Sequence, residues 1–146
     1  MAGVGIQIDM RGLEGLQSRL DEIGGFDRRD LLEVIGATVE SQTRRRIAEE
    51  KTSPDGDEWP VWSEKYAATR HSGHSLLIGE GDLLDSIVFV VGSGEVEVGS
   101  NLIYAATQHF GDEDRNIDAR EWLGLSEDNE AELQRVINDW FEEILS

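Results

Sequence analysis

The chain has no cysteine, which excludes disulfides, thiol catalysis and cysteine-ligated zinc. Cations are scarce: 13 Lys and Arg stand against 31 Asp and Glu, and only Lys51 and Lys65 are lysines. The formal net charge is -18. Affinity for phosphate backbones comes from cations releasing counterions, so specific nucleic-acid binding is not expected. No apolar run approaches the ~20 residues of a membrane helix, and no signal-peptide pattern opens the chain. The expectation is a soluble protein made in a cytoplasm, with no membrane partner. Prolines number two, Pro54 and Pro60, and both sit in one loop.

What remains is well patterned. A chain of 146 residues fits one domain (1–146) and is long enough to bury a core. Val4, Ile6, Ile8 and Met10 alternate with small or polar residues, which predicts a half-buried strand. Leu13, Leu16, Leu20 and Ile23 predict an amphipathic helix stopped by Gly24 and Gly25. A second helix is predicted from about Arg28 to Glu50, with Asp27 as its cap and Leu31, Leu32, Ile35, Val39 and Ile47 as its stripe. Arg44, Arg45 and Arg46 near its end favour the negative pole of the helix and pair with carboxylates.

Residues 51–62 read as a loop, and Ser63 as the cap of a short helix. Asp82 opens a helical turn with Leu83 and Leu84. Ile87–Val91, a Gly92-Ser93-Gly94 turn and the alternating Glu95–Gly99 predict a β-hairpin. Tyr104–Phe110 predicts a short helix ended by Gly111. The last helix follows Ser126, with Leu133, Val136, Ile137, Trp140, Phe141 and Ile144 on one face. The expected fold is α+β: a small, mostly antiparallel sheet from the N-terminal strand and the hairpin. Two early helices and the C-terminal helix pack against it.

Candidate chemistry is thin. His71 and His74 have a ligand-like spacing without a third ligand, so a solvated loop is the better reading. Asp112, Asp114, Asn116 and Asp118 alternate like the start of a calcium loop. Ile117 stands where the turn glycine belongs and Leu123 where the closing glutamate belongs, leaving only a weak cation candidate. Gly79-Glu80-Gly81 lacks the lysine of a phosphate loop. Ser100, Ser126, His109 and Asp85 lack a nucleophile elbow. No catalytic residue, cofactor or metal is assigned.

Loop tryptophans are costly to expose, so Trp59, Trp62 and Trp122 are either pinned in-chain or buried by a partner. Together with Arg120, which is either a surface arginine or makes a salt bridge that fixes residues 112–124 or crosses a subunit boundary, they are the candidate interface.

Four segments carry a family likeness: PDGDEW (54–59), GEGDLLDSI (79–87), YAATQHFG (104–111) and AREWLGLS (119–126). Their order, around a valine-rich hairpin, resembles the Mu-like phage virion-morphogenesis proteins from about residue 47 to 126. Pro54, Gly56, Trp59, Gly81, Leu83, Ile87, Gly99, Tyr104, Ala105, Phe110, Gly111, Ala119, Arg120, Leu123 and Gly124 carry the match. Glu121-Trp122 departs from a proline–aromatic pattern. The resemblance implies a structural, non-enzymatic virion protein that completes the tail and joins it to the head or neck. It also implies a homo-oligomeric ring, with six copies as one stoichiometry, and contacts with neighbouring neck and tail proteins. The acidity fits first an acidic solvated surface, and otherwise a salt-rich cytoplasm or a DNA-repelling lumen, and scarce lysine resembles haloarchaeal proteins. A reading from another class is an acidic DNA mimic that inhibits a nucleic-acid-binding enzyme.

Overall fold

The computed structural model describes residues 4–9, 28–61, 68 and 82–145. The expected helix at 13–23, the Asp27 and Ser63 caps, Trp62, the His71–His74 pair and Gly79–Gly81 lie outside the described residues.

Strand β1 (Val4–Asp9) is followed by helix α1 (Arg28–Arg45), which runs into a π-helical turn (Arg46–Glu50). Next come α2 (Asp82–Ser86), β2 (Val88–Val91), β3 (Glu95–Ser100), α3 (Ile103–Phe110) and α4 (Glu127–Leu145). The fold is α+β, as the patterning predicted.

The sheet is antiparallel with order β1-β3-β2, so the second strand of the hairpin is central. Val98 lies between Ile6 and Phe89, and Val96 between Ile8 and Val91. These residues share the inward face, because strand side chains alternate. The hairpin turn closes through Gly92 N–H donating to the Glu95 carbonyl at 2.8 Å, with Gly94 at φ 79°.

Helix α1 lays Leu31, Leu32, Ile35 and Val39 into the core, all buried. It packs on β2 and β3 on one side and on α4 on the other. At Gly36 it comes so close to the sheet that an added Cβ would lie 2.5 Å from Phe89 Cδ2 and 2.9 Å from Val96 Cγ2. Glycine in a helix interior costs about 1 kcal/mol relative to alanine, and close approach is what offsets it here.

Helix α4 closes the other side. Leu133, Ile137 and Phe141 are buried, while Ile144 is exposed. Its start is fixed reciprocally: Asn129 N–H donates to Ser126 Oγ at 3.0 Å, and Ser126 N–H to Asn129 Oδ1 at 3.1 Å. This is a capping box with Asn in the place usually taken by Glu or Gln.

Candidate functional site

The three consecutive arginines at the end of α1 diverge in fate. Arg44 pairs with Glu40 at 3.0 Å and donates to the Ile87 carbonyl at 2.8 Å. Arg45 pairs with Glu132 at 3.1 Å and Glu50 at 3.3 Å. The hydrogen bond from Gln42, then that from Arg45, holds the Glu132 carboxyl below the usual carboxylate range.

Arg46 corrects the expectation that all three meet carboxylates. It is 1% exposed, and its guanidinium donates to the Gly124 carbonyl at 2.9 Å and to Asn129 Oδ1. The Trp122 carbonyl lies 3.4 Å from the same Nη1. Burial pulls its pKa down, opposed by the Glu50 charge. The cause of its position is the π turn. The chain widens over 46–50, Lys51 N–H donates to the Arg46 carbonyl at 2.8 Å, and Arg46 and Ile47 both turn inward. Lys51 takes φ 57° as it leaves the turn.

The carbonyls that Arg46 holds belong to the AREWLGLS segment, which is tied on its other flank to PDGDEW. Thr52 and Glu58 form a β-bridge, and Trp59 N–H donates to the Lys51 carbonyl at 3.0 Å. Trp59 is thereby turned inward, and its indole Nε1 donates to the Glu121 carbonyl at 3.1 Å. Pro54 packs on Gly124, where a Cβ would lie 2.7 Å from Pro54 Cγ. Arg120 Nε donates to the Pro60 carbonyl at 2.9 Å.

The third segment, YAATQHFG, completes the junction. Arg120 N–H donates to the Gln108 carbonyl at 2.7 Å. Trp122 is fully buried and its Nε1 donates to the Ala105 carbonyl at 3.0 Å. His109 Nδ1 accepts from Leu123 N–H at 3.4 Å and stacks edge-on against Trp122. Burial lowers the His109 pKa against an opposing pull from Glu121. Gly111 ends the helix at φ 75°, where a Cβ would meet the Ile117 carbonyl at 2.8 Å.

At three of the candidate interface residues the structure shows contacts within the chain. Trp59 and Trp122 are in-chain anchors, because each indole N–H finds a carbonyl inside the fold. Arg120 is 8% exposed and joins two loops of the same chain. Sequence reasoning missed Arg46, Gln42 and Asn129. For Asn129 there was a signal, its spacing of three from Ser126. For Gln42 and Arg46 there was none, since polar residues at a helix end read as solvated.

The acidic loop is organised by its own backbone. Asp112 and Ile117 exchange two hydrogen bonds of 2.8 Å, and Asp112 Oδ1 accepts from Asp114 N–H at 3.1 Å. Among the described residues, no three His, Asp or Glu side chains gather as metal ligands, so Asp112, Asp114 and Asp118 do not converge with Asn116 into a cage. Ser100 Oγ pairs with Ser86 Oγ at 2.6 Å, and Ser126 Oγ caps α4.

The outward surface carries apolar groups as well as acid. Val61, Phe110, Val90 and Val88 are exposed, the last two side by side on the outer face of β2. Among the described residues, no helix is long and apolar enough to cross a membrane. No curated protein and no solved structure matches the chain. A profile of the phage virion morphogenesis family matches residues 8–142, nearly the whole sequence. The chain belongs to the phage virion morphogenesis family, which makes it a protein of virion building.

Proposed function

We propose that the chain completes the tail of a tailed virus, as the Mu-like members do, and joins it to the head or neck as a ring of its own copies. The observation that carries this reading is the family match over residues 8–142. The site supports a structural role. Trp59, Arg120 and Trp122, from two of the landmark segments, donate to backbone carbonyls of the same chain, and Arg46 holds the Gly124 carbonyl. A net charge of -18 suits a surface past which DNA moves without sticking.

The test is assembly. A virus lacking this gene should accumulate filled heads and separate tails. Added purified protein should restore joined particles, counted by negative-stain microscopy. Normal joining without the protein, or its absence from purified particles, overturns the reading.

A further inference from the structure

Lys51 stands where the π turn ends, in a conformation its side chain disfavours. Among the described residues, two non-glycine residues take positive φ, Asn116 at 60° and Lys51 at 57°. Asparagine visits this left-handed region readily, because its short polar side chain bonds locally. A lysine does so only where its surroundings over-determine it.

At Lys51 they do. Its backbone N–H donates to the Arg46 carbonyl, five residues back, at 2.8 Å. In an α-helix that N–H would go four residues back, to Ile47. The Ile47 carbonyl is taken instead by the Nζ of the same lysine. The Lys51 carbonyl accepts the Trp59 N–H at 3.0 Å, beside the Thr52–Glu58 bridge. One residue thus supplies donors to both carbonyls at the end of the helix, and its own carbonyl anchors the loop of residues 52–61.

The choice of residue fits the task. Arginine is this chain's usual cation, and only Lys51 and Lys65 are lysines. A guanidinium presents a planar fork, suited to the separate oxygens that Arg46 meets. A single carbonyl on the residue's own helix is better met by a compact ammonium on a flexible stem. The place also favours a cation, since the last carbonyls of a helix carry partial negative charge.

We infer that the Lys51 ammonium is the lock of the π turn. It gives the Ile47 carbonyl the donor that the backbone has moved to Arg46, and so fixes the register in which the helix hands over to residues 52–61. Without it, the N–H of residue 51 returns to the Ile47 carbonyl and that of Glu50 to the Arg46 carbonyl, as in an ordinary α-helix. Each residue turns such a helix by about 100°. Rewinding by one residue swings the carbonyl that holds the Trp59 N–H away from the loop, and draws the Trp59 indole off the Glu121 carbonyl. The seat of the PDGDEW segment therefore depends on the charge of one amine. This goes beyond the assembly role and does not depend on it.

The test removes the ammonium and then rebuilds it. Lys51→Met keeps the stem and loses the donor. Its crystal structure should show the N–H of residue 51 on the Ile47 carbonyl; a π turn that persists overturns the inference. In solution, the indole N–H resonances of the four tryptophans read the loop, with that of Trp59 assigned through Trp59→Phe. In Lys51→Met the Trp59 indole resonance should move upfield as it loses Glu121, while the amide resonances of Val96 and Val98 in β3 stay in place. An unmoved Trp59 resonance, or β3 resonances that move as far, overturns the inference. Rescue separates charge from bulk. The chain has no cysteine, so Lys51→Cys can be alkylated at one thiol. Alkylation with 2-bromoethylamine rebuilds an ammonium of lysine's reach and should return the Trp59 resonance to its wild-type position. Alkylation with iodoacetamide leaves a neutral amide and should not. Return under both reagents, or under neither, overturns the assignment of the lock to the ammonium.

Discussion

Helix α1 is held on its two sides by opposite means. Toward the sheet it offers an apolar stripe and a glycine, and contact is made by carbon against carbon, with Gly36 over Phe89 and Val96. At its far end it offers the Gln42 amide to Asn129 of α4, and the π turn that follows offers the buried Arg46 guanidinium to Asn129 and to the Gly124 carbonyl, so contact is made by hydrogen bonds. Apolar contact tolerates small shifts, because dispersion and burial are not directional. A guanidinium fork aimed at fixed oxygens does not. The sheet side therefore supplies bulk stability. The loop junction sets where 52–61 and 119–126 sit relative to α1 and α4.

The largest break in this comparison is Arg46→Ala. It leaves the Gly124 carbonyl without the Arg46 donor and takes from Asn129 Oδ1 one of its two donors, Ser126 N–H being the other, and each orphaned group costs about 1–3 kcal/mol. The expected loss is about 4 kcal/mol by urea unfolding, read from the midpoint at unchanged slope. Arg46→Lys should recover less than half, since an ammonium cannot reproduce the fork. The neighbouring Arg45→Ala is the control. Its pairs are exposed, and its loss should stay below about 1 kcal/mol. Equal losses for the two arginines would mean that the junction is not held by the buried fork.

On the apolar side, Gly36→Ala should cost about 1–3 kcal/mol although alanine is the better helix former. The new methyl would sit 2.5 Å from Phe89 Cδ2. Shortening the neighbour should relieve it. Phe89→Leu alone destabilises, but in the Gly36→Ala background it should cost less, a coupling visible in a double-mutant cycle. Additive effects would show that α1 can lift off the sheet without loss, and the contrast between the two sides would weaken.

The same contrast explains what could be read from the sequence. The sheet side was legible: Leu31, Leu32, Ile35 and Val39 announce a stripe, and the Val88–Ser100 hairpin announces itself by alternation and its glycine turn. Those signals are local. The junction was not legible, because its partners are far apart in the chain. Arg46 reaches 83 residues to Asn129, Trp59 reaches 62 to Glu121, and Arg120 reaches 60 back to Pro60. Nothing in a run of three arginines says that the third turns inward, since the deciding feature is a π turn and helix periodicity does not encode it. The four landmark segments stand far apart in the sequence. The junction joins three of them, and Ile87 of the fourth touches its rim through Arg44.

The smallest effect tests whether the junction's polar side is tuned by pH. Burial favours neutral His109 in the fold, and its pKa lies below the ordinary value near 6.5. The unfolded chain therefore binds the proton more readily. The contribution is full above about pH 6.5 and declines as pH falls through the lowered folded value. Protonation also ends the ability of Nδ1 to accept from Leu123 N–H, which loosens the loop that Arg46 holds. Acidification has an opposing effect in a chain of charge -18, because it relieves repulsion, but carboxylates take up protons mainly near pH 4. Depression of the Glu132 pKa places its own loss lower still. His109→Gln keeps an acceptor without the titration. Between pH 7.5 and 5.5 the wild type should lose up to about 1 kcal/mol relative to this variant. Parallel stability profiles would leave the hydrogen bonds of the junction indifferent to pH in that range, with His109 acting as a packed ring alone.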